Sequence, residues 1–169
     1  MAIKQAVMKQ LNMSEEELAH FLVEDMRQIF FKMVGLDNSL NSSMIIDPIN
    51  AYNDSVTAMV GLGGTFSGLV SLHLPNAIAL EFTSSMLHST VTEIDEDVYD
   101  AMGELAVMIA GSLKVNLSNR GIDVFLSTPS VFTGREYSFS TKIQDESMAV
   151  LCNIREQWFM VNLTLVQQQ

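Results

Sequence analysis

"TEIDEDVYDAMGELAVMIAGSLKVNLSNRG", residues 92–121, carries the longest helical pattern in the chain. Acidic residues crowd its start, where the positive end of a helix dipole favours them. Asn119, Arg120 and Gly121 supply a stop. Between these signals the spacing predicts a helix over about 96–119. Val98, Ala101, Met102, Leu105, Met108, Ile109 and Ser112 recur on one side and should face a core. Asp100, Glu104, Val107, Gly111 and Lys114 recur on the other side, at the spacing of a single helical face. That face starts acidic, then presents a bare valine and a glycine. Glycine inside a helix costs about 1 kcal/mol relative to alanine. A helix that keeps both Gly103 and Gly111 should gain something, namely close approach of a neighbouring strand or of a partner protein. The plainer reading is a solvated face with one tolerated apolar residue.

Outward from this helix, the rest of the chain alternates between helical and strand patterns. "NMSEEELAHFLVEDMRQIFFKMVGL" (12–36) opens with a capping box, Ser14 and Glu17, and closes at Gly35. Leu18, Phe21, Leu22, Met26, Ile29, Phe30 and Met33 form its apolar stripe, so a helix over 15–34 should cover a sheet. Residues 2–11 read as a short extra helix within an N-terminal extension, 1–13. Residues 36–54 read as a loop around a short strand at Met44–Ile46. "SVTAMVGL" (55–62) and "TFSGLVSLHL" (65–74) read as a hairpin around Gly63 and Gly64. "GLGGTF" is not a phosphate loop, because strands flank both sides and the third glycine of the dinucleotide fingerprint is missing. Pro75 opens a helix at its first turn that runs to about His88. From Ile122 onward the pattern is β: "IDVFLSTPSVF", "REYSFSTKI", "SMAVLCNI" and "QWFMVNLTLV", with breaks at "TG", "QDE" and "RE". The expected fold is a single α/β (α+β) domain over 1–169, an antiparallel sheet packed against long helices.

Composition narrows the function classes. The 169 residues suit one domain with one core, and 48% hydrophobic content excludes a disordered chain. A net charge of −11 argues against a nucleic-acid partner, which needs Lys and Arg to displace counterions. It leaves room for a protein partner with a basic patch. One cysteine, Cys152, forbids an internal disulfide and fits a reducing cytoplasm. No stretch has the ~18 apolar residues of a membrane span, and the N-terminus lacks a signal-peptide pattern. The expectation is a cytoplasmic protein that engages no membrane.

Catalytic motifs are scarce. His20, His73 and His88 are scattered and do not pair at helical spacing, so no metal site is expected. Cys152 lies in an apolar strand, where cysteine acts as a small hydrophobe. No G-x-S-x-G elbow occurs. The chemistry therefore concentrates on the long helix.

There the residues resemble the CheC/CheX/FliY family of chemotaxis phosphatases, and most of all its CheX-type domains. The family signature has Asp or Ser, Glu four residues on, Asn three beyond, and a proline a little over twenty residues later. "DAMGELAVMIAG" resembles the signature helix and "TEIDEDVYDAMGEL" its acidic entry. "SGLVSLHLPNAIALEFTSSML" resembles the family's strand and helix, and "FLSTPSVFTG" its "L-S-x-P-x-x-x-x-G" stretch. The resemblance covers roughly 55–166. It implies a partner, the phosphorylated receiver domain of a CheY-like response regulator. Asp100 takes the first slot, Glu104 is the docking glutamate and Pro129 is the proline. In the family, the glutamate pairs with a receiver lysine and the asparagine orients the attacking water. No cofactor of the chain's own is implied, since the Mg²⁺ belongs to the receiver. The asparagine slot holds Val107, which can neither accept from water nor donate. No second E-x-x-N occurs in the chain. Gly103 and Gly111 flank these positions on the binding helix.

Three readings follow. The chain docks on a receiver with impaired aspartyl-phosphate phosphatase activity. Alternatively it is an active phosphatase in which another group, such as Asp100, holds the water. Or it is a non-catalytic dimerisation or adaptor module. The resemblance also implies a homodimer formed by joining sheet edges, which the β-rich C-terminal half would offer.

Overall fold

The computed structural model describes residues 3–36, 40–138, 140 and 146–168. The described residues form four helices, α1 (Gln5–Leu11), α2 (Glu15–Val34), α3 (Asn76–Leu87) and α4 (Glu96–Ser118). The capping box of α2 forms: the Glu17 amide donates to Ser14 Oγ at 3.2 Å, and the Ser14 amide to Glu17 Oε2 at 2.7 Å. Gly35 closes α2 in the left-handed conformation (φ 72°). The expected extra helix is α1, and the long central helix is α4, one residue short of its expected end. Pro75 precedes α3 as its cap rather than occupying its first turn.

Among the described residues, seven strands form one antiparallel sheet: β1 (Leu40–Ile46), β2 (Ala51–Gly64), β3 (Phe66–Pro75), β4 (Val124–Leu126), β5 (Ser130–Ser138), β6 (Ser147–Ile154) and β7 (Gln157–Gln167). The order is β1-β6-β7-β3-β2, with β4 and β5 both paired along the far side of β2. The glycine hairpin appears as read, joining β2 to β3. The "RE" break is a two-residue turn, Arg155 and Glu156, both at positive φ (47° and 65°), as the twist of a tight hairpin requires.

Two strand expectations need correction. The break expected at Thr133–Gly134 lies inside β5, where Thr133 pairs with Val56 and Gly134 with Ser55. The interruption falls instead at Ser127–Pro129, where proline has no amide to donate and the Ser127 hydroxyl donates to the Thr128 carbonyl. The expected loop 36–54 is shorter, because β1 starts at Leu40 and β2 at Ala51. Residues 139 and 141–145, which hold the end of "REYSFSTKI" and most of "QDE", lie outside the described residues, as do 37–39 of the expected loop.

The helices share one hydrophobic core with the sheet. Phe30 of α2, Phe82 of α3 and Phe159 of β7 meet in ring contacts 5.2 and 5.5 Å between centroids. Among the described residues, no helix is long and apolar enough to cross a membrane. Cys152 is buried, and burial pushes its thiol up to about 12, so it acts as the small hydrophobe expected of it. His73 is also buried. Its Nδ1 lies 2.8 Å from Thr57 Oγ1, whose other contact is the Tyr137 hydroxyl at 2.7 Å. The Tyr52 ring stacks on the imidazole with centroids 4.3 Å apart.

Burial holds the His73 pKa down at about 3, against an ordinary 6.5. The unfolded chain therefore binds a proton there before the folded protein does. Stability from this source is complete above pH 6.5 and falls as the pH drops toward 3, by about 1.4 kcal/mol per pH unit. Denaturant titrations of wild type and His73→Asn between pH 7 and 4 should show the variant with the shallower slope. Equal slopes would mean that His73 is protonated in the folded state.

Candidate functional site

The site is built on α4. Its start is fixed by Asp95, whose side chain accepts from the amides of Asp97 at 3.1 Å and Val98 at 3.4 Å. Glu96 and Asp97 add negative charge to the first turn. Val98, Met102, Leu105 and Ile109 are each 0% exposed and lock the helix rotation against the sheet. Ala106, Ala110, Leu113 and Leu117 are buried as well. Met108 and Ser112, expected in the core, are only half-buried. The buried arc is turned toward Ala106 and Leu113, because α4 packs on α2 and α3 as well as on the sheet.

The opposite face carries Asp100 and Glu104, both exposed, then Val107 and Gly111, both half-exposed. Val107 is not bare: with Met108 it packs against the edge of the core. Val115, 59% exposed, extends this face one turn beyond Gly111. Sequence reasoning missed it, although the spacing of four from Gly111 was the signal.

The two glycines of α4 have opposite surroundings. A Cβ on Gly103 would lie 3.3 Å from the Pro129 ring and 3.4 Å from a Val131 methyl. Gly103 is thus the seat for Pro129, and the structure brings these two predicted residues together directly beside Glu104. Val131 completes the seat and was not singled out in the sequence. A Cβ on Gly111 would meet nothing within 4 Å.

This geometry suits a macromolecule. Its carboxylates stand on an exposed helix face, whereas small-ligand sites are concave. A groove of about 330 Å³ does exist between α2 and β1, lined by residues such as His20, Glu24, Arg27 and Met44, but it includes no residue of α4. Chemically the face can supply two acceptor carboxylates to a cation. It supplies no carboxamide where the signature has one, because Val107 stands there.

Comparison with known proteins bears on the family and the fold. The family model for chemotaxis phosphatase CheX matches residues 56–153. The CheY-P phosphatase CheX of Thermotoga maritima is 24% identical over 123 residues, 72% of this chain and 79% of that protein. The crystal structure of the chemotaxis protein CheX from Desulfovibrio desulfuricans is 26% identical, with a TM-score of 0.74 over 89% of this chain and 99% of that one. The CheX-CheY-BeF3-Mg²⁺ complex from Borrelia burgdorferi shares the fold at 17% identity, with a TM-score of 0.68 over 88% of this chain and 97% of that one.

The Gly103 seat is testable by stability. Gly103→Leu would force a buried side chain into Pro129 and Val131, and overpacking of this kind costs roughly 1–3 kcal/mol. Thermal melting should show a midpoint several degrees below wild type. An unchanged midpoint would mean that Pro129 is free to move off the helix.

Proposed function

The chain belongs to the chemotaxis phosphatase CheX family, and from that membership we propose that it docks through α4 on the phosphorylated receiver domain of a CheY-like response regulator, with impaired phosphatase activity. The observation that carries this reading is the outward face of α4, with Asp100 and Glu104 exposed and Val107 half-buried where the family signature has asparagine. Borrelia CheX has been solved bound to CheY, which supports a receiver as the partner.

Hydrolysis of the receiver's acyl phosphate needs a water oxygen to form a bond to phosphorus while the bond to the aspartate oxygen breaks. The products are a free carboxylate and inorganic phosphate. In this proposal Glu104 pairs with a receiver lysine and so orients α4 over the phosphoryl group. Any Mg²⁺ is held by the receiver. The carboxamide that would accept from the water and donate to a phosphoryl oxygen is absent, and the methyl groups of Val107 exclude water instead. Loss of one preorganised donor lowers rates by about 10²–10³ in well-studied enzymes. Asp100 is a poor substitute, because a second carboxylate near phosphoryl oxygens is repelled.

A homodimer belongs to the same proposal. Of the C-terminal strands, β4 and β5 lie at one side of the sheet while β6 and β7 are interior; the other edge is β1, whose Met44 and Ile45 are 50% and 39% exposed. Unpaired backbone groups on such an edge are satisfied by pairing with a second copy. Sedimentation at micromolar concentration should give twice the 18.7 kDa chain mass, and a monomer would remove this part of the proposal.

The decisive test is phosphate release from a phosphorylated CheY-type receiver. Wild type should accelerate release weakly, and Val107→Asn should raise that rate at least tenfold. The substitution should also lower stability by about 1 kcal/mol, since Val107 is half-buried and loses apolar contact. A fully active wild type that gains nothing from asparagine would show that the water is held by another group.

A further inference from the structure

The outward face of α4 contains a residue whose identity no other described residue explains. Gly111 is a helix-interior glycine, and its missing Cβ would meet no atom within 4 Å. Its φ lies outside the left-handed region that glycine alone tolerates well. An alanine there would fit without strain and would favour the helix. Gly103 has its reason in Pro129, and Gly111 has none. Around it stand Val107 and Met108 one turn before and Lys114 and the exposed Val115 one turn after, so bare backbone lies between apolar side chains and a half-buried lysine.

We propose that Gly111 is a docking residue, and that its bare backbone receives an apolar side chain of the receiver while Glu104 engages the receiver's lysine. This rests on the docking reading above and extends its footprint along the helix. Seven residues separate the two anchors, which is about 10 Å at 1.5 Å per residue. The partner surface is thereby specified: a cation beside the phosphorylation site and an apolar side chain about 10 Å away, facing a helix too bare to hold it off. The charge gradient along α4 agrees, since Asp97, Asp100 and Glu104 occupy its first half and no carboxylate follows on the second.

The test pairs stability with binding. Wild type, Gly111→Ala, Gly111→Leu and Glu104→Arg are titrated with a CheY-type receiver locked by beryllofluoride and Mg²⁺, and each is melted alone. Gly111→Ala should melt roughly 2–4 °C higher than wild type yet bind several-fold more weakly. Gly111→Leu should also fold at least as stably as wild type and should lose more than tenfold in affinity. Undiminished binding by Gly111→Leu, with binding lost in Glu104→Arg, would overturn this inference and leave the docking face intact. A wild type that binds while none of the variants is weakened would overturn both, and so would a wild type that does not bind.

Discussion

The rotational setting of α4 against the sheet is the constraint on which the site depends. Val98, Met102, Leu105 and Ile109 are wholly buried, and each exchanges water for core contacts worth roughly 1.5–3 kcal/mol. Turning the helix by one residue's angle would bring Glu104 toward the core in exchange for Leu105. A buried, unpaired carboxylate costs several kcal/mol. The apolar side of α4 thus determines which side chains can be offered to a partner. The Gly103–Pro129 seat holds the same rotation from the flank, through a loop that joins β4 to β5.

The parts of the fold readable from the sequence are those governed by neighbouring residues. The capping box at Ser14 and Glu17, the stop at Gly35 and the acidic entry to α4 are local chemistry, and the expected boundaries of α2 and α4 match the structure within one residue. The strands were harder because their limits depend on partners far along the chain. Thr133–Gly134 has the composition of a turn, yet it continues β5 because β2 supplies a ladder beside it. The buried arc of α4 also departed from the simplest spacing, since packing on α2 and α3 draws Ala106 and Ala110 inward. Alanines carry little apolar signal, and their burial becomes visible only once the neighbouring helices are placed.

The candidate site divides in the same way. That Asp100 and Glu104 point outward followed from helical spacing alone. The difference between Gly103 and Gly111 did not. Both are glycines on one helix, and both weaken it to a similar degree. Only the fold reveals that Pro129 and Val131 arrive over one of them and nothing arrives over the other. A glycine read by itself records that space is needed, and the tertiary structure decides whether the chain fills that space.

Val107 connects stability to the proposed chemistry. A carboxamide at a half-buried position has polar atoms that water serves poorly until a partner docks, and an unsatisfied amide costs about 1–3 kcal/mol when fully buried. Valine removes that cost and packs on the rim of the core with Met108. In the proposed mechanism, the same exchange would remove the group that holds the attacking water. Function is commonly maintained at some expense of stability, and position 107 has the physical features of such a trade resolved toward stability. Association and hydrolysis then reside in different residues of one face. On the proposed reading, Glu104 and the bare backbone at Gly111 would govern how the partner sits, whereas position 107 would govern what happens to its phosphoryl group. A chain in which only the second has changed would retain a receiver without rapidly discharging it.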